Sequence, residues 1–164
     1  MSDTEFAQRI GASFTRVVEK GEWDKMPILA VLTGTMESMT PVVFPIEEAH
    51  PVAFIQAFME LGGPAAIREQ AGGGIIGVAH YSEGWVVKDP TKRAVKAFES
   101  GKKRIADEPD RIEIKMMSAF NGEEMVLLRH ERGTDGIILI ADSTSVDGSV
   151  PTALRALYDA LVQS

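Results

Sequence analysis

Residues 111–131 read RIEIKMMSAF, then NGEE, then MVLLRHE, and the fold class follows from that run. Between Arg111 and Phe120, Ile112, Ile114 and Met116 alternate with Glu113 and Lys115. A period of two is the pattern of a half-buried strand. Asn121-Gly122 is the strongest hairpin signal in the chain, because both residues tolerate the positive φ that a tight hairpin requires. Met125 to Glu131 is the returning strand, Gly133 to Gly136 turns again, and Ile137 to Ala141 is a fully apolar strand. Ser149 is then placed to cap a helix whose Leu154, Leu157 and Leu161 form one stripe.

Upstream, Ser2 and Glu5 have capping-box spacing, and Phe6, Ile10, Phe14 and Val17 recur at helical intervals up to a stop at Gly21. Ile28 to Leu32 and Pro41 to Ile46 make a hairpin across a turn at Gly34 to Thr40. The prolines of the second strand place it at a sheet edge. Glu47 to Pro51, with His50, opens a second helix bearing Phe54, Phe58 and Leu61, broken at Gly62-Gly63-Pro64 and continued to Gln70. Ile75 to Tyr81 is apolar on both faces until His80, which suits a central strand. The expected order is α-β-β-α-β, a basic excursion, then β-β-β-α. That is an α+β domain with one mostly antiparallel sheet of about six strands and N-terminal, central and C-terminal helices.

At 164 residues, with 45% hydrophobic and 25% charged residues, the chain suits one domain with its own core, here residues 1–164. It has no cysteine, which removes disulfides, thiolate catalysis and cysteine-ligated metal. The acidic start Met1-Ser2-Asp3-Thr4-Glu5 is unlike a signal peptide, and no apolar run is long enough to span a membrane. A cytoplasmic location without membrane contact is expected. The net charge of −7 argues against duplex nucleic acid as a partner. Residues 1–87 carry 11 acids and 5 bases, and residues 105–164 the same, whereas residues 88–104 carry 2 acids and 7 bases. Lys88, Lys92, Arg93, Lys96, Lys102, Lys103 and Arg104 therefore oppose everything around them. With Ala94, Val95, Ala97 and Phe98 they make at best a short basic amphipathic helix ended by Gly101.

Motifs of established chemistry do not survive their context. Gly72 to Gly77 matches the glycine pattern of dinucleotide sites, but it follows a helix and enters a strand, the reverse of what pyrophosphate binding needs. Ser100-Gly101-Lys102-Lys103 has serine–lysine spacing with a glycine where a helix should begin. His50, His80 and His130 have no metal-ligand spacing, so no metal and no cofactor are expected. His80 and His130 near strand ends and Glu83 are the weak candidates for acid–base work, set against partly exposed strand histidines with no such role.

The densest polar-aromatic constellation is His80-Tyr81-Ser82-Glu83-Gly84-Trp85, facing Glu108-Pro109-Asp110-Arg111-Ile112-Glu113. Glu83 pairing with Arg111 under a covering Trp85 is the arrangement expected, either as a turn-locking ion pair or as the rim of a pocket. Ser82-Glu83-Gly84-Trp85 with Pro109-Asp110-Arg111-x-Glu113 resembles a family of uncharacterised bacterial and bacteriophage proteins. Those proteins have a Ser-Glu-Ala-Trp strand end and a Pro-Asp-Arg-x-Glu strand start. Here Gly84 replaces the alanine. The resemblance covers residues 27–141 in general layout. It implies a coherent domain and a phage-encoded source, and it brings no established activity.

The order of elements also resembles roadblock and profilin-like domains, which serve as dimerising adaptors; this is analogy at the level of fold. The functional expectation is a non-enzymatic protein-binding module. The alternative is a small enzyme or ligand-binding domain with a pocket at Glu83, Trp85, Asp110 and Arg111. A homodimer is expected from eight methionines and a C-terminal helix rich in Leu and Ala. Lys92, Arg93, Lys96 and Phe98 are the candidate contacts for an acidic protein partner.

Overall fold

The order of elements follows from where the apolar periods start and stop. The computed structural model describes residues 4–46, 51–71, 74–87, 91–141 and 148–163. Helix α1 spans Glu5–Glu19, capped by Thr4, whose hydroxyl oxygen accepts from the Ala7 amide at 3.2 Å. Ser2, the cap expected from sequence, lies outside the described residues. Gly21, at φ +66°, ends the helix as expected.

Strands β1 (Ile28–Gly34) and β2 (Met39–Pro45) form the first hairpin. The central helix is divided by Gly62, at φ +81°, into α2 (Pro51–Glu60) and α3 (Gly63–Ala71); His50 lies outside the described residues. Then come β3 (Ile75–Val87), α4 (Lys92–Glu99) and a single 3-10 turn at Ile105–Asp107. Strands β4 (Arg111–Phe120), β5 (Met125–Glu131) and β6 (Ile138–Ala141) precede α5 (Ser149–Val162). Gly148, not Ser149, holds the N-cap position of α5.

The strands form one antiparallel sheet in the order β2-β1-β3-β4-β5-β6. The chain is an α+β fold. β2 is an edge, as its prolines require, and β3 is central. The Asn121-Gly122 turn is a four-residue connection, with Phe120 opposite Met125 and Asn121 Oδ1 accepting from the amides of Glu123 and Glu124. β3 runs six residues beyond the expected end at Tyr81, because β4 pairs with it as far as Val87 opposite Arg111. Ladder hydrogen bonds there hold a segment whose side chains carry no apolar pattern of their own.

The sheet has a core on each face. On one, Leu29, Val31, Val78, Phe120, Met125 and Leu127 meet Ile55 of α2, Ile67 of α3, and Leu154, Leu157 and Leu161 of α5. On the other, Ala30, Leu32, Ala79, Tyr81, Met117, Ala119, Val126 and Leu128 meet Phe6, Ile10 and Phe14 of α1. The α5 leucines are fully buried in the chain's own core, each contributing on the order of 1.5–3 kcal/mol. That stripe is therefore consumed internally. β4 is also covered on both faces over its second half, where the expected pattern was half-buried.

Candidate functional site

Antiparallel register decides which polar residues meet. Glu83 lies opposite Lys115, while Arg111 lies opposite Val87, four residues further along the ladder and on the order of 13 Å away at strand rise. The expected Glu83–Arg111 pair is therefore replaced by Glu83–Lys115, with 2.6 Å between Oε2 and Nζ. Arg111 instead stacks on Trp85, 4.8 Å from the ring centroid, and donates to the Glu108 carbonyl at 2.9 Å. Trp85 covers Arg111 and not an ion pair. Asp110 is exposed in the turn before β4. The expected rim is thus divided into an exposed stack and a buried ion pair.

The ion pair lies on the α1 side of the sheet. Lys115 has no exposed surface, and its three N–H groups meet the Glu22 carbonyl, Tyr81 Oη at 3.2 Å and Glu83 Oε2. The ammonium also sits 4.1 Å from the Trp23 ring centroid, a cation–π contact strengthened by its desolvation. Glu83 accepts from the Tyr81 hydroxyl at 2.8 Å and, through Oε1, from the Lys25 amide at 2.7 Å. Burial alone would raise the Glu83 carboxyl. The bonds from Lys115, Tyr81 and Lys25 outweigh it and leave the group below its ordinary value. Burial and then the Glu83 carboxylate push the Tyr81 phenol up. Glu22, Trp23 and Lys25 all belong to the link between α1 and β1, so the cluster pins that link to the sheet.

The histidines do not share a rim. His80 is in the middle of β3, opposite Leu29 and Ser118, and faces the other side of the sheet from Glu83. It is buried, its Nε2 has no hydrogen-bond partner among the described residues, and burial lowers its pKa to about 4, so the ring is neutral. His130 is beside Lys115 on the Glu83 side; its Nδ1 donates to the Gly136 carbonyl at 2.8 Å, and its ring is 6.3 Å from Trp23. No three His, Asp or Glu residues converge as a metal site among the described residues.

The basic excursion does form a helix. Thr91 caps α4 by accepting from the Ala94 amide at 3.1 Å. Lys92, Arg93 and Lys96 are exposed on it and Phe98 is half-buried; Lys88 lies outside the described residues. In the dinucleotide-like pattern Gly77 serves packing, since a Cβ there would stand 2.5 Å from the Phe120 carbonyl oxygen of the neighbouring strand; Gly72 and Gly73 lie outside the described residues.

One concave surface was not among the expected sites. A cleft of about 520 Å³ opens between α1 and the β1–β2 hairpin. Ile28, Ala30, Leu32, Met39, Pro41 and Val43 form its sheet wall, with Ile10 and Val17 on the helix. Arg9, Arg16 and Lys25 stand around it, and among the described residues no Asp or Glu does. Arg9 pairs with Glu5 and Lys25 with Glu22, whereas Arg16 makes no ion pair among the described residues. The sequence does hold a signal for it: Met39, Pro41 and Val43 alternate on an edge strand, while Arg9 and Arg16 are seven apart on one flank of α1.

No helix among the described residues is long and apolar enough to cross a membrane. No family model, no curated protein and no solved structure matches the chain.

Proposed function

We propose that this chain is a non-enzymatic binding module whose working surface is the cleft between α1 and the β1–β2 hairpin. One observation carries the reading: an apolar sheet wall, with Pro41 and Val43 of β2 exposed, stands beside a helix in a cleft of about 520 Å³ rimmed by cations. That volume is within the range that ligand sites use, and its apolar wall is the kind of surface that partners bury. The buried polar groups favour binding over catalysis. Lys115 has each of its N–H groups occupied, and Glu83 accepts from three donors, so these side chains hold the link in place. Of the two candidate histidines, His80 faces the opposite side of the sheet, and His130 has its Nδ1–H taken by the Gly136 carbonyl.

The reading is tested with a neutral solvatochromic dye and the substitution Val43→Asp. Val43 is 48% exposed, so an aspartate there leaves the core intact while charging the cleft wall. The native chain is expected to enhance dye emission, and Val43→Asp to reduce that enhancement severalfold at an unchanged melting temperature. An enhancement that Val43→Asp leaves intact, or no enhancement at all, overturns the cleft as the working surface.

A further inference from the structure

Resting on that reading, we infer that the occupant of the cleft is an acidic amphipathic helix of a partner protein. The first support is a mismatch between the two faces of the sheet. Among the described residues, helices α2, α3 and α5 cover one face, whereas α1 is the one α-helix packed on the other, mainly along β4 and β5. Strands are spaced about 4.8 Å apart and a helix with its side chains is about 10 Å across, so the open face over β1 and β2 is one helix wide.

The second support is charge. The chain carries 24 acidic and 17 basic residues, yet among the described residues the charged ones lining the cleft are Arg9, Arg16 and Lys25. Arg9 and Arg16 are separated by two turns, about 10.5 Å along the helix. A docked helix with Asp or Glu two turns apart on one flank meets both, while its apolar stripe rests on the half-buried Ile28 and the exposed Pro41 and Val43. This is recognition of an amphipathic helix in a groove, with register set by the charges.

Two other occupants fit less well. Strand addition to the β2 edge is obstructed by Pro41 and Pro45, which have no N–H to donate. A second copy offering its own α1 would bring Arg9 and Arg16 against the same residues, and α4 is itself basic.

The test uses the full chain and a fluorescent helical peptide of about 18 residues, with leucine at i, i+3, i+4 and i+7 and glutamate on both flanks. The same peptide with lysine for glutamate is the comparison, and the neutral dye is run in parallel. The glutamate peptide is expected to bind at least about tenfold tighter than the lysine peptide, with the difference shrinking as salt rises. Arg9→Glu with Arg16→Glu should invert the preference between the two peptides. If the double variant does not fold, Arg16→Glu alone, at an exposed position without an ion pair, should still narrow the preference. Dye binding without peptide binding, or peptide binding without charge preference, overturns the acidic helix and leaves the cleft reading standing. Absence of both overturns both. A dimer by light scattering that Val43→Asp dissociates makes the second copy the occupant and overturns the inference.

Discussion

Lys115 is a lysine with no solvent contact, and its neighbours explain how that is sustained. Desolvating an ammonium costs several kcal/mol, and the charge is held by one carboxylate, two further acceptors and an aromatic face. Lys115→Met keeps a long side chain but leaves Glu83 buried without its counter-charge. The expected cost is about 3–5 kcal/mol in urea unfolding. Combining it with Glu83→Leu should recover much of that, because the unpaired charge is then gone. A single-variant cost below about 1 kcal/mol would mean that the pair is open to water and screened. The partner of Glu83 was not legible from sequence, since Arg111 and Lys115 are both cations on the same strand. A register, which sequence spacing does not fix, separates them by four positions.

Strand β3 contains two glycines with opposite roles. Gly77 lies against the β4 backbone, where a Cβ would meet the Phe120 carbonyl oxygen at 2.5 Å; around Gly84 nothing lies within 4 Å. Gly77→Ala should therefore destabilise by about 1–3 kcal/mol through enforced strand displacement. Gly84→Ala should be neutral or stabilising by up to about 1 kcal/mol, since it removes unfolded-chain freedom without a clash. Thermal unfolding of the two variants, compared side by side, checks this, and equal effects would remove the packing account of Gly77. At this scale much was readable. The prolines of β2 placed an edge, the apolar run of β3 placed a centre, and Asn121-Gly122 placed a turn. The length of β3 was not readable, because its last residues are held by the partner strand's backbone and not by a pattern of their own.

The whole molecule inherits an acid sensitivity from His80. Its folded pKa of about 4 is below the ordinary 6.5, so between those values the unfolded chain binds a proton that the native one excludes. Stability therefore falls as pH is lowered from about 6.5 and levels off near 4, by at most roughly 3 kcal/mol. Glu83 acts in a lower window: its folded pKa is depressed, so its contribution is lost only as pH falls below the ordinary carboxylate range. Replacing His80 by Gln should remove the upper window, so the stability difference between wild type and His80→Gln should shrink between pH 7 and pH 4.5. A difference independent of pH would mean that His80 protonates in the native state.

The sequence by itself determined the class and order of elements, because periods of two and 3.6, prolines, glycines and caps act over a few residues. It also marked residues 88–104 as a basic excursion, at best a short helix, and α5 as carrying a leucine stripe. Only the tertiary structure decided that the stripe is spent inside the chain, that His80 and Glu83 face opposite ways, and that β1 and β2 wall a cleft beside α1. Each of these depends on register and on which face a helix covers. Those are set by side chains that meet across the sheet, from segments far apart in the chain.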